Sequence, residues 1–104
     1  MAELLRSRVH VPHDHPAFAG HFPGQPLLPG VSLLAEVLEA AMHDPALAAR
    51  VGPAPKIGAA KFLSPVRPGE RLSIRFDDTS ATALRFEVRV GERLAASGHF
   101  ERAA

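Results

Sequence analysis

An α+β fold, an antiparallel sheet wrapped around one central helix, is what this sequence predicts, on three observations. Between Val31 and His43 the polar residues are Ser32, Glu36, Glu39 and His43, spaced i, i+4, i+7 and i+11, and everything between them is Val, Leu, Ala or Met. One narrow polar stripe on an otherwise apolar cylinder describes a helix that most of its surroundings wrap. A strand-like stretch precedes that helix, and a run of alternating stretches separated by turn residues follows it. Finally, 104 residues is the common size of one domain and leaves no room for a second core, so residues 1–104 read as a single unit.

Taken in order, Glu3 to Val11 alternates loosely and reads as the first strand. Pro12 to Gly30, PHDHPAFAGHFPGQPLLPG, is dense in Pro, Gly and His. Proline fixes its own φ and restricts the residue before it, so this is a shaped loop with little regular structure. It is too apolar for a linker, because Phe18, Phe22, Leu27 and Leu28 call for burial. A long, apolar, proline-stiffened loop in a small domain is more often functional than decorative. Pro29-Gly30 stops it, and Ser32 can cap or start the first turn of the helix. His43-Asp44-Pro45 ends the helix, and Ala46 to Val51 adds a further short helical turn. Four strands follow, Lys56–Phe62, Glu70–Asp77, Ala81–Val90 and Arg93–Glu101, and they are expected to run as a meander. Pro65-Val-Arg-Pro-Gly, Asp77-Asp-Thr-Ser and Gly91-Glu separate them, all turn material.

Composition removes several classes of function. The formal net charge of +1 gives no basic field for nucleic acid, and no stretch clusters Lys and Arg with aromatics. With no cysteine, disulfides, thiolate catalysis and zinc–thiolate sites are excluded. His13 and His15 are metal-ligating types, yet no carboxylate or cysteine cluster completes a site around them, so they read as surface histidines. No metal and no cofactor is expected. His10, His43 and His99 read as structural. The opening MAELLRSRVHV carries charges within its apolar pattern, unlike a signal peptide, and the longest uncharged apolar run, near Leu27 to Ala35, is too short to span a bilayer. A soluble, cytoplasmic protein is the expectation.

The informative segment is Gly20-His-Phe-Pro-Gly-Gln-Pro-Leu-Leu-Pro-Gly-Val31. It resembles the G-H-F-P-G-x-P-x-x-P-G-V signature of the hot-dog β-hydroxyacyl-acyl-carrier-protein dehydratases of fatty-acid synthesis, the FabZ and FabA type, and matches it at every fixed position. Lys61-Phe62-Leu-Ser-Pro65-Val66-Arg-Pro68-Gly69-Glu-Arg-Leu72 and the closing Gly98-His-Phe are similar to the same family's later strands. The resemblance covers essentially the whole chain. It implies a hot-dog fold and a (3R)-hydroxyacyl thioester substrate, carried by acyl carrier protein or coenzyme A. Small stand-alone proteins of this kind also serve pathways making aryl-polyene or polyketide-like lipids.

The chemistry of the segment is intelligible without the family. Histidine is the side chain whose unperturbed pKa lies nearest neutrality, which suits a group that takes and returns a proton. His21 is held between Gly20 and Phe22-Pro23-Gly24, and it is the candidate base. Gly30 and Val31 stand where the helix begins, where backbone N–H groups lack intrahelical partners. With the positive end of the helix dipole, they can polarise a thioester carbonyl and hold the enolate oxygen formed when a proton leaves the adjacent carbon. Phe22, like Phe18 and Phe62, is a candidate wall for an acyl tunnel, although core packing explains these rings about as well.

The third part, an acid for the departing hydroxyl, is where the sequence departs from its relatives. They carry an Asp or Glu on the helix fourteen residues after the His, contributed by the other subunit of a dimer; counting from His21 gives Ala35. Glu36 stands one residue, or 100° of helix, away, and reads as part of the solvated stripe. Glu39, four residues on, shares the face of Ala35 but acts about one turn further along. Ser32, three residues before Ala35, can hold a water. Three functions therefore stay open: a dehydratase, a thioesterase of the same fold, and a degenerate subunit that pairs with an active dehydratase. The expected assembly is a homodimer or larger, with a hetero-oligomer as the alternative.

Overall fold

In the computed structural model, the described residues are 3–11 and 30–103, with Val31 described by its backbone alone. The expected proline-rich loop, with His13, His15, Phe18, His21 and Phe22, lies outside them. The element order is β1 (Glu3–His10), α1 (Gly30–Met42), α2 (Pro45–Val51), β2 (Lys56–Phe62), β3 (Arg71–Ser80), β4 (Ala83–Val90) and β5 (Arg93–Glu101). The strands form one antiparallel sheet in the order β1-β3-β4-β5-β2, which with the central helix makes the α+β hot-dog arrangement that the resemblance implies.

Helix α1 starts and ends one residue earlier than the pattern suggests, so Ser32 lies inside its first turn rather than ahead of it. It buries Leu33, Val37 and Ala41, spaced i, i+4 and i+8, in one core with Leu72, Ile74, Phe76, Leu84, Phe86, Val88 and Phe100 of the sheet. Phe86 and Phe100 stack at the centre, ring centroids 5.1 Å apart. The apolar cylinder is not wrapped all round, however. Ala35, Glu39 and Met42 form an exposed stripe at i, i+4 and i+7, opposite the buried one. None of these described helices is long and apolar enough to cross a membrane.

The short turn expected after α1 is a capped helix. The Asp44 side chain accepts from the backbone N–H groups of Ala46 and Leu47 at 3.0 and 3.1 Å, and Pro45 supplies the preset φ of a first helical position. Gly52, at φ 77°, closes α2 by donating its N–H to Ala48 at 2.9 Å, and Leu47 and Val51 enter the core.

Two sheet expectations need correction. Asp77-Asp78-Thr79-Ser80 is strand and not turn, because β3 runs to Ser80 and reverses at Ala81-Thr82. Asp77 is 2% exposed and Arg75 donates to it at 2.8 Å, while Arg50 of α2 donates to Asp78 at 2.9 Å, so partners hold both carboxylates in the ladder. The hydrogen bond that Arg75 donates to Asp77 raises the Arg75 pKa above its ordinary value. Only β3, β4 and β5 form a meander. Strand β2 crosses to the far edge and pairs with β5, from Lys56 opposite Glu101 to Phe62 opposite Ala96. Between β2 and β3, residues 63–70 include Pro65 and Pro68, too long and too poor in donors for a tight hairpin.

Candidate active site

The start of α1 is the best-defined part of the site. Gly30 is its first helical residue, so the N–H groups of Gly30, Val31 and Ser32 fall among the donors that an α-helix leaves without internal acceptors. The first turn of the helix holds no acidic side chain of its own to offset the positive end of the dipole. Phe62, at the end of β2, lays its ring against Gly30: a Cβ there would stand 2.9 Å from the ring tip and 3.0–3.1 Å from its flanking carbons. Glycine at this position is therefore what lets ring and helix start approach. Phe62 is 50% exposed and Leu63 57%, so this wall is open on its outer side in the single chain. Leu63 and Ser64 donate their backbone N–H groups to Ala95 at 2.8 and 3.3 Å, which fixes the chain leaving β2 against β5.

Sequence reasoning left Phe62 undecided between core and tunnel. Its place over Gly30 makes it a wall of the helix start, and the spacing of Lys61-Phe62-Leu-Ser-Pro65 was the available signal. Gly30 and Val31 stand where they were expected, and Ser32 joins them in the same turn. His21 and Phe22 lie outside the described residues, so the structure tests neither role.

The two candidate acids differ. Along the axis, Glu36 is about 9 Å and Glu39 about 13 Å beyond Gly30, and Ala35 about 7.5 Å. Side chains lean toward the helix N-terminus, which shortens these distances without closing them. Glu39 is exposed on the stripe it shares with Ala35 and Met42. Glu36 is half-buried, rotated off that stripe, and engaged in an interaction of its own. Of the histidines read as structural, His99 sits in a seat on the sheet, Nε2 3.1 Å from Glu101 Oε1, directly over Gly58, where no Cβ would fit. Ala59, on the neighbouring strand, is its rung partner.

Three comparisons bear on this arrangement. The family model described as ApeI-like, ApeI dehydratase, matches residues 2–101. The 3-hydroxyacyl-[acyl-carrier-protein] dehydratase FabZ of Symbiobacterium thermophilum is 32% identical over 93 residues, 86% of this chain and 63% of that protein. FabZ of Campylobacter concisus is 36% identical over 86 residues, 73% of this chain and 58% of that one. The chain thus spans only about three fifths of the length of these curated relatives. Among solved structures, a chain of the dehydratase heterocomplex ApeI:P from Xenorhabdus doucetiae superposes with a TM-score of 0.74 at 27% identity, over 96% of this chain and 95% of that one.

Proposed function

The chain belongs to the ApeI-like dehydratase family, and from that premise we propose that it removes water from a (3R)-hydroxyacyl thioester on acyl carrier protein or coenzyme A. The observation that carries this reading is the start of α1: N–H groups of Gly30 and Val31 that the helix itself leaves without acceptors, in a first turn with no acidic side chain, walled by Phe62 and nine residues after His21 in the sequence. His21 takes a proton from the carbon beside the thioester carbonyl. The Gly30 and Val31 donors hold the enolate oxygen as charge develops there. The electron pair then forms the double bond to the next carbon, whose hydroxyl leaves with a proton from Glu39 or Glu36. The products are an enoyl thioester and water.

Neither carboxylate reaches the helix start of its own chain, which favours an acid supplied by a second subunit. A homodimer joined along the edge strand β2 is the assembly we infer, since β2 exposes Ile57 and Phe62 beside its unpaired edge. One observation favours a second reading, a subunit that completes another dehydratase. Ala35 stands exposed where relatives carry the acid, and a structural neighbour belongs to a heterocomplex.

Mass spectrometry of a 3-hydroxyacyl carrier protein incubated with the purified protein tests these readings together. Loss of water supports the dehydratase, loss of the acyl group supports a thioesterase, and an unchanged substrate that reacts only once a complete relative is added supports the partner subunit. In the first case His21→Ala should lower the rate by at least about a hundredfold, the low end for a positioned proton-transfer group, and leave folding unchanged by circular dichroism. Near wild-type turnover in that variant would make His21 structural and end the scheme.

A further inference from the structure

On the face of the sheet turned away from α1, arginines recur and are mostly matched by carboxylates. Arg6 meets Glu3 at 2.6 Å, Arg75 meets Asp77 at 2.8 Å, and Glu87 serves both Arg85 at 3.1 Å and Arg89 at 3.6 Å. At one corner the matching stops. The last rungs of the β1–β3 pair set Arg8 opposite Ser73 and His10 opposite Arg71. Alternate residues of a strand share a face, so these four side chains stand at the corners of a rectangle, about 5 Å across the strands and about 7 Å along them. With Val9 and Leu72, they line a depression of about 300 Å³. Leu72 is buried in the core and Val9 packs partly against it, so these two form the apolar part of the lining. Among the described residues, no carboxylate lies within ion-pair distance of Arg8, His10 or Arg71. Glu70, the neighbour best placed to serve Arg71, is taken by Arg93 at 3.0 Å and by the Arg67 N–H at 2.6 Å.

We propose that this corner is a binding site for a phosphate group. Two guanidinium forks on one diagonal repel each other unless an anion lies between them. Each fork presents parallel N–H donors suited to phosphate oxygens, and the Ser73 hydroxyl and the His10 ring add donors on the other diagonal. A carboxylate, with two oxygens in one plane, is satisfied by a single fork. A tetrahedral phosphate uses donors arriving from several sides, which is what four corners supply. The corner lies away from the start of α1 and from Phe62. β1 and β2 are opposite edges of the sheet, four inter-strand spacings or about 19 Å apart, and Phe62 and the start of α1 lie at the β2 edge. It therefore stands or falls independently of the dehydratase reading. Free phosphate and a phosphate ester on a larger molecule present the same chemistry, and the test distinguishes them.

Amide spectra of the isotope-labelled full chain, titrated with inorganic phosphate, with phenyl phosphate, and with chloride at matched ionic strength, read the site directly. Phosphate is expected to give saturable shifts at residues 8–10 and 71–73 that chloride does not reproduce. Arg8→Gln and Arg71→Gln should each weaken binding about tenfold, the loss of one charge-assisted pair. Arg67→Gln, an exposed arginine outside the corner, should leave it unchanged. Tighter binding of phenyl phosphate than of the free ion supports an ester as the natural ligand, and equal or weaker binding supports the free ion. Shifts that chloride matches, that never saturate, or that survive in the Arg8→Gln, Arg71→Gln double variant would overturn the proposal.

Discussion

At Gly30 and Gly98 the same chemical change, one added methyl group, meets different neighbours. A Cβ on Gly98 would collide with the Ala59 carbonyl and come within 2.9 Å of Phe86 Cζ, and Phe86 is fully buried against Phe100. Neither backbone nor stacked ring can yield, so Gly98→Ala should cost about 2–3 kcal/mol by urea denaturation, the range of overpacked cores. Among the described residues, the atoms nearest a Cβ on Gly30 all belong to Phe62, a half-exposed ring with room to swing outward. The alanine gains up to about 1 kcal/mol of helix propensity, so Gly30→Ala should fold at least as well as the parent by the same measurement. Because it moves the wall of the proposed oxyanion site, its dehydration rate should nevertheless fall. Loss of stability in Gly30→Ala comparable to that in Gly98→Ala would mean that Phe62 is fixed and the site rigid. The acid divides on similar grounds. Glu39, exposed on the stripe of Ala35, is the group that a second subunit can reach, so Glu39→Gln should lower the rate on the order of a hundredfold and Glu36→Gln should do little. The reverse result would assign the acid to Glu36. Unchanged dehydration in the purified double variant would remove both.

Among the elements, α2 shows how a local signal becomes structure. Asp44-Pro45 reads as the end of α1, but Asp44 is equally a cap that starts α2, through two accepted N–H groups. Asp44→Ala should therefore cost about 1 kcal/mol, read as a shift of the thermal midpoint, with β2–β5 pairing intact. An unchanged midpoint would mean that Leu47 and Val51 hold α2 by burial alone. The strands β2 and β5 are legible to their end residues, since alternation and turn residues act within a few positions. The far end of β3 is not, because Asp77 and Asp78 are turn formers locally, and it is pairing with Arg85 and Leu84 of β4, with Arg75 and Arg50 as side-chain partners, that keeps them in the strand. The Arg50 pair lies 28 residues away in sequence, and no pattern in the strand itself announces it. Strand order is hidden for the same reason: nothing in the composition of β2 says that it pairs with β5 instead of β3. The helix reading was nearly complete, and its error has a cause. Periodicity fixes which residues share a face, yet an exposed Ala35 or Met42 looks like a buried one until the neighbours are known. Of the site, the helix start was legible from Pro29-Gly30, whereas Phe62 needed the fold to bring β2 beside it.

For the molecule as a whole, the open question is what covers the β2 edge. A chain of about 100 residues buries only some 60–70% of its surface on folding, so it gains much from a partner. Here the exposed large apolar side chains include Ile57, Phe62 and Leu63, at 48%, 50% and 57%, all on or just beyond β2. Strand β2 is also open on most of both faces, unlike β3, which alternates as far as Phe76, and β4, which alternates to Val88. An edge with unpaired backbone groups and apolar side chains is a template for another strand, and two copies related by a two-fold axis present it to each other. The opposite edge, β1, carries Arg6 and Arg8, charges that discourage such pairing. If β2 is the interface, Ile57→Lys places a like charge on both copies at once and should convert the dimer to a monomer by light scattering at micromolar concentration. Ile57 lies at the far end of β2 from Phe62, so the helix start of each subunit stays intact. Dehydration should then fall together with the dimer fraction as protein is diluted, if the second chain supplies the acid as proposed. A monomeric Ile57→Lys variant with full activity would put base, oxyanion donors and acid in one chain, and the acid would have to be found near Gly30 rather than at Glu39. A variant that stays dimeric would move the interface off β2.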